Sequence, residues 1–93
     1  MSQAPHGQYV VSVMSRDRVG IVAEVSGAIS ALQGDIADMR QSVLRGYFTM
    51  ILLAKFPGQV SPEDIRAGIG AASAGGPVPL QVAVVAADDA LPS

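Results

Sequence analysis

The sequence contains no cysteine. That excludes a disulfide framework, a thiolate nucleophile and a cysteine metal cage together, and it suits a reducing cytoplasm, the expected location. Asparagine is also absent, and the single histidine, His6, lies in a polar leader over residues 1–7, where it reads as a solvated tail residue. Catalysis needs a base, an acid and a nucleophile or metal brought together. The remaining acids do not offer such a set. Glu63 and Asp64 fall in the first turn of an expected helix and Asp88-Asp89 in a C-terminal tail, so neither pair is placed as an acid–base couple in a cleft. With no metal-ligand spacing either, the chain is expected to be no enzyme and to use neither cofactor nor metal.

Charge and aromatic side chains are scarce. Charged residues make up 15% of the chain and aromatics 4%, with a net charge of −2. Recognition of a phosphate backbone requires a basic footprint, and an RNA-binding sheet requires stacking aromatics. Tyr9, Tyr47 and Phe48 on an acidic chain meet neither need, so direct nucleic-acid binding is not expected. The apolar runs are too short to cross a bilayer, and the start lacks the basic-then-apolar order of a signal peptide. No membrane partner is expected.

What the chain has in quantity is aliphatic side chain: 49% of its 93 residues are apolar. This length supports one hydrophobic core. So few charges leave more apolar surface than one thin pair of layers hides, which points to self-association.

Hydrophobic periodicity divides residues 8–86 into six elements. Gln8–Met14 is nearly continuous in β-branched residues, as in a central strand. From Ile21 the period becomes helical, with Val22, Val25, Ile29 and Leu32 on one stripe and Gly34 at the position of a left-handed cap. Asp35–Leu44 alternates imperfectly, with Ile36, Met39 and Val43 among polar residues, which suits a half-exposed strand with a bulge or at a sheet edge. Arg45-Gly46 is a hairpin turn signal leading to the strongest strand, Tyr47–Phe56, both faces of which are apolar enough to suggest cover on each. Ser61-Pro62-Glu63-Asp64 opens a second helix that buries Ile65, Ile69 and Ala72 and that Gly75-Gly76-Pro77 ends. Val78–Ala86 is a last strand, made an edge by Pro79. Residues 87–93 read as a tail or linker. The order βαββαβ with right-handed crossovers gives an α+β ferredoxin-like sandwich: a four-stranded antiparallel sheet, order 4-1-3-2, with two helices on one face.

The chemistry concentrates in two segments. The strand-to-helix junction Ser15-Arg16-Asp17-Arg18-Val19-Gly20-Ile21 presents unpaired N–H groups and the positive end of a helix dipole, which together favour a carboxylate. Gly20 permits close backbone approach, and Arg16 and Arg18 offer forked donors, though loop arginines are more often solvated. The turn Gly34-Asp35-Ile36 is the second segment. The two lie at opposite ends of one helix, so a pocket sharing them is easier to build between subunits. Structural readings compete: Asp17 caps the helix, Gly20 relieves crowding, and Gly34 serves only as a C-cap.

Tyr9–Ala23, with its hydrophobic strand running into Asp17-Arg18-Val19-Gly20-Ile21-Val22-Ala23, resembles the opening of the ACT-domain family. Gly34-Asp35-Ile36-Ala37-Asp38-Met39-Arg40-Gln41 and Gly46-Tyr47-Phe48-Thr49-Met50 are similar to the same family's later signatures. Within it, the likeness is greatest to stand-alone or tandem ACT proteins resembling the glycine cleavage system transcriptional repressor. The resemblance implies side-by-side dimers with an extended sheet, a small amino-acid ligand near the strand–helix loop at the dimer interface, and regulation through a partner protein or second ACT domain. Val19 stands where the family has proline, which should loosen the loop. Asp35 stands where it has asparagine, so this position would hold an ammonium group and repel a carboxylate. A different class of function, a dimerisation module without a ligand, is suggested by Ile51, Leu53, Ala83 and Val85 on the second sheet face. An acylphosphatase-like enzyme would need a water-orienting asparagine, which the chain lacks.

Overall fold

The computed structural model describes residues 7–74 and 80–87. His6 and the rest of the expected leader, the Gly75-Gly76-Pro77 helix stop, Pro79 and residues 88–93 lie outside them. Six elements follow in the expected order: β1 (Gly7–Arg16), α1 (Ile21–Ala31), β2 (Asp35–Leu44), β3 (Tyr47–Phe56), α2 (Pro62–Ala72) and β4 (Gln81–Ala86). All three strand pairings are antiparallel and the sheet order is β2-β3-β1-β4, the 4-1-3-2 arrangement of a ferredoxin-like fold.

Strict alternation along β3 explains its central place. Phe48, Met50, Leu52, Ala54 and Phe56 are buried against the helices, and they meet Val11 and Val13 of β1 beside Val25 and Ile29 of α1 and Ile65 and Ile69 of α2. β2 is an edge strand with an irregularity between Ile36 and Asp38, where Ala37 is the extra residue. β4 is the other edge, and beyond it the Ala87 N–H still donates to the Gln8 carbonyl at 2.8 Å.

β1 runs two residues past Met14, where the polarity of Ser15 and Arg16 suggests a turn. β3 is long enough to pair both, Ser15 with Phe48 and Arg16 with Tyr47. Ser15 points inward and is buried, its hydroxyl donating to the Arg16 carbonyl at 2.9 Å. The hairpin is a two-residue turn with Arg45 at φ 52° and Gly46 at φ 81°, the doubly left-handed pair that matches strand twist.

The α1 stripe packs on the core as expected and is widened by Ile21 and Ala28, and the α2 stripe differs at one position. α1 buries Ile21, Val25, Ala28 and Ile29, while Val22 is half-buried and Leu32 packs from the cap. In α2 the Ser61 capping box forms as expected, its hydroxyl accepting from the Asp64 N–H at 3.0 Å. Ala72 is exposed, and Ser73 is buried in its stead because its hydroxyl donates to the Ile69 carbonyl at 3.1 Å.

The end of α1 corrects the reading of Gly34. The helix stops at Ala31 with Leu32 as cap, and the left-handed residue is Gln33, at φ 69°. Gln33 N–H donates to the Ser30 carbonyl and Gly34 N–H to the Ile29 carbonyl, both at 2.9 Å, the paired bonds of a Schellman motif. Gly34 is required one position later for space. A β-carbon there would stand 2.4 Å from Phe56 Cε2 and 2.8 Å from Ile29 Cγ2. Gln33→Gly should therefore raise stability by roughly 0.5–1 kcal/mol in urea denaturation, since glycine carries no left-handed penalty.

The sequence suggested at least partial cover of the second sheet face, and Leu53 on it is half-buried. Met14 (43% exposed), Ile51 (49%) and Val85 (62%) lie on it, and no described element of the chain packs over them.

Candidate functional site

The junction from β1 to α1 is held by backbone and side chains that the sequence motif does not display. Arg16, the last residue of β1, lies with its guanidinium carbon 5.8 Å from the centre of the Tyr47 ring, its partner across the ladder. Asp17 N–H donates at 2.8 Å to the carbonyl of Gly46, so the β2–β3 hairpin turn buttresses the loop. Asp17 does not cap the helix. The cap is Gly20, at φ 97° and with no side-chain hydrogen bond, and its carbonyl accepts the first helical bond from the Glu24 N–H at 2.9 Å. A left-handed cap requires glycine in this turn, which explains Gly20 better than relief of crowding does.

Arg18 is the best-fixed side chain of the segment. Its Nη1 donates to Glu24 Oε2 at 2.9 Å and its Nη2 to Glu24 Oε1 at 2.7 Å, a two-pronged pair with side-chain exposures of only 14% and 26%. Nη1 also reaches the Val19 carbonyl at 3.3 Å. The Arg18 hydrogen bonds hold the Glu24 carboxyl below its ordinary range, and Glu24 raises Arg18 in return. For a depressed acid, the stabilising effect is present at neutral pH and is lost as pH falls through the lowered pKa. Sequence reasoning missed Glu24: a spacing of six residues from loop to helix matches no local pairing rule. Val19, in the position of the family's proline, is 96% exposed, with anchored residues on both sides of it.

The second segment is at the other end of α1. Ile36 is half-buried against the core, whereas Asp35 is exposed and pairs in register with Lys55 of β3. Asp35, Lys55, Gln33, Phe56 and Pro57 line an open depression of ≈ 340 Å³. A carboxylate and an ammonium thus flank one cavity, a feature the motif did not signal because Lys55 is remote in sequence. Eleven helical residues separate this turn from the Gly20 cap, roughly 16 Å at 1.5 Å per residue. One chain therefore brings Ser15, Arg16, Asp17, Arg18, Val19, Gly20 and Ile21 together at one end and Gly34, Asp35 and Ile36 together at the other, and does not unite the two groups. Among the described residues there is no cluster of three metal-ligating side chains, and no helix is long and apolar enough to cross a membrane.

Known proteins share this framework. A curated relative from Methanosarcina mazei, a UPF0237 protein, is 38% identical over 50 residues, covering 54% of each chain. The matched region is thus about half the length of such relatives. The structure is similar to an ACT domain protein from Streptococcus pneumoniae, with a TM-score of 0.69 and 29% identity over 84% of this chain and 89% of that one. It also shares the fold of a candidate glycine cleavage system transcriptional repressor, with a TM-score of 0.65 and 19% identity over 94% of this chain and 50% of that one. The family model described as "ACT domain" matches residues 8–74, which hold both the β1–α1 junction and the Gly34–Ile36 turn. With sequence match, strand order and the placing of both signature segments in agreement, the chain belongs to the ACT-domain family.

Proposed function

We propose that this chain is a non-catalytic regulatory ACT domain that binds a small amino acid of the glycine or serine class at the interface of a cytoplasmic homodimer. The observation that carries this reading is the separation of the two signature segments at opposite ends of α1. Each offers a group suited to one end of a zwitterion. The helix start with Arg18 suits a carboxylate, and Asp35 suits an ammonium group. A second copy of the chain alongside the first supplies the other group in each case. The outer edge of β2, ten residues long and paired on one side only, is available for such an approach.

The signal then passes by contact with a partner protein or a second ACT domain. In a thermal-shift screen against the common amino acids, glycine or serine is expected to raise the melting temperature. Asp35→Ala should then weaken the bound amino acid at least several-fold in titration calorimetry, and unchanged affinity removes Asp35 from the site. Exposed Met14, Ile51 and Val85 on the second sheet face favour one alternative, a dimerisation module without a ligand. A stable dimer that responds to no amino acid would decide for it.

A further inference from the structure

We infer that Glu24 is a built-in carboxylate that occupies the Arg18 fork, so that an incoming carboxylate must displace it. This rests on the proposed amino-acid site and concerns how that site is kept closed. Three observations support it. First, the contact has the geometry by which arginine binds a free carboxylate: two separate nitrogens on two separate oxygens, at 2.9 and 2.7 Å. Second, the pair lies over the helix start. From the place where a β-carbon of Gly20 would stand, Glu24 Oε2 is 3.7 Å away and Arg18 Nη1 4.0 Å. The side chains of Arg18 and Glu24 therefore border the open space at this cap, within van der Waals reach of it. Third, Arg18 is incompletely satisfied, because its Nε is buried and has no hydrogen-bond partner. A planar guanidinium has donors along two edges, and Glu24 uses only the terminal pair.

A purely structural ion pair would be expected to join elements that need fixing, yet the loop is already tied to the hairpin through Asp17 and Gly46. The Arg18–Glu24 contact instead joins the loop to the first turn of the helix that immediately follows it. Displacement requires side-chain rotation of Glu24, whose backbone lies in the first turn of α1. A competing internal carboxylate lowers apparent affinity by the fraction of time it leaves the fork free.

The test is titration of the full chain with acetate, followed on the Gly20 and Ile21 amide and Arg18 Nε–H resonances. Glu24→Gln keeps the side chain's size and removes its charge, and it should tighten acetate about tenfold relative to wild type. Glu24→Asp, one methylene shorter, should also tighten it, and by less. In Arg18→Gln/Glu24→Gln the gain should vanish. Unchanged acetate affinity in both single variants, each with a native-like spectrum, overturns the inference, as does a gain that survives loss of Arg18. Glycine titrations separate this from the amino-acid reading. Tighter acetate with no glycine binding leaves the latch standing and removes the amino-acid site, whereas glycine binding that is indifferent to Glu24 leaves the site and removes the latch.

Discussion

Gly34→Ala is expected to destabilise the domain by about 2–3 kcal/mol, a large share of the stability of a domain this size. The reason is space and not torsion, since the left-handed residue of this turn is Gln33. The added methyl would stand 2.4 and 2.8 Å from two atoms of the Phe56 ring and 2.8 Å from Ile29 Cγ2. Neither neighbour is free to retreat. Phe56 and Ile29 are each 1% exposed, and the Phe56 ring is braced edge-on by Tyr9, with centroids 5.9 Å apart at 64°. Tyr9 is itself held by its hydroxyl, which donates to the Val60 carbonyl at 2.6 Å. Equilibrium urea unfolding checks the value. A loss below 0.5 kcal/mol, well under the usual overpacking range, would mean that the turn shifts freely away from the ring. Such a shift would carry Asp35 with it, so the same variant should perturb any ligand held there.

Phe56→Ala should cost about 3–5 kcal/mol, the usual range for removing a buried aromatic ring. It deletes the largest fully buried side chain of the core. The two substitutions should couple strongly. With the ring gone, the obstacle nearest to the new methyl disappears, and Gly34→Ala on the Phe56→Ala background should cost less than 1 kcal/mol. A double-mutant cycle measured by urea unfolding would then give a coupling of about 2 kcal/mol. Additive losses would show that Ile29 alone sets the limit at Gly34.

Much of this was legible in the sequence because it depends on neighbours along the chain. The period of two over Tyr47–Phe56, the change to a helical period at Ile21, the Ser61-Pro62 helix start and the Arg45-Gly46 turn are local patterns, and each forms where expected. Two crossovers of fixed hand then leave few ways to order four strands. The motif also placed the two signature segments at opposite ends of one helix.

Local polarity misled where long-range partners decide. Ser15 and Arg16 resemble a turn, and they remain in β1 because β3 is long enough to pair them. Gly34 resembles a helix cap, and its absent side chain is needed because Phe56 arrives from a strand twenty-two residues later. Arg18 resembles a free ligand-binding arginine, and it is held by Glu24.

The sequence by itself determined the element order, the sheet topology and the family signature, since periodicity, turn chemistry and crossover hand act within short stretches of chain. Only the tertiary structure decided that the Ser15–Ile21 loop is anchored on the hairpin, that Lys55 pairs with Asp35, and that among the described residues Ile51 and Val85 of the second sheet face are exposed. These depend on which distant residues the strand register sets side by side. A motif read along the chain does not contain that register.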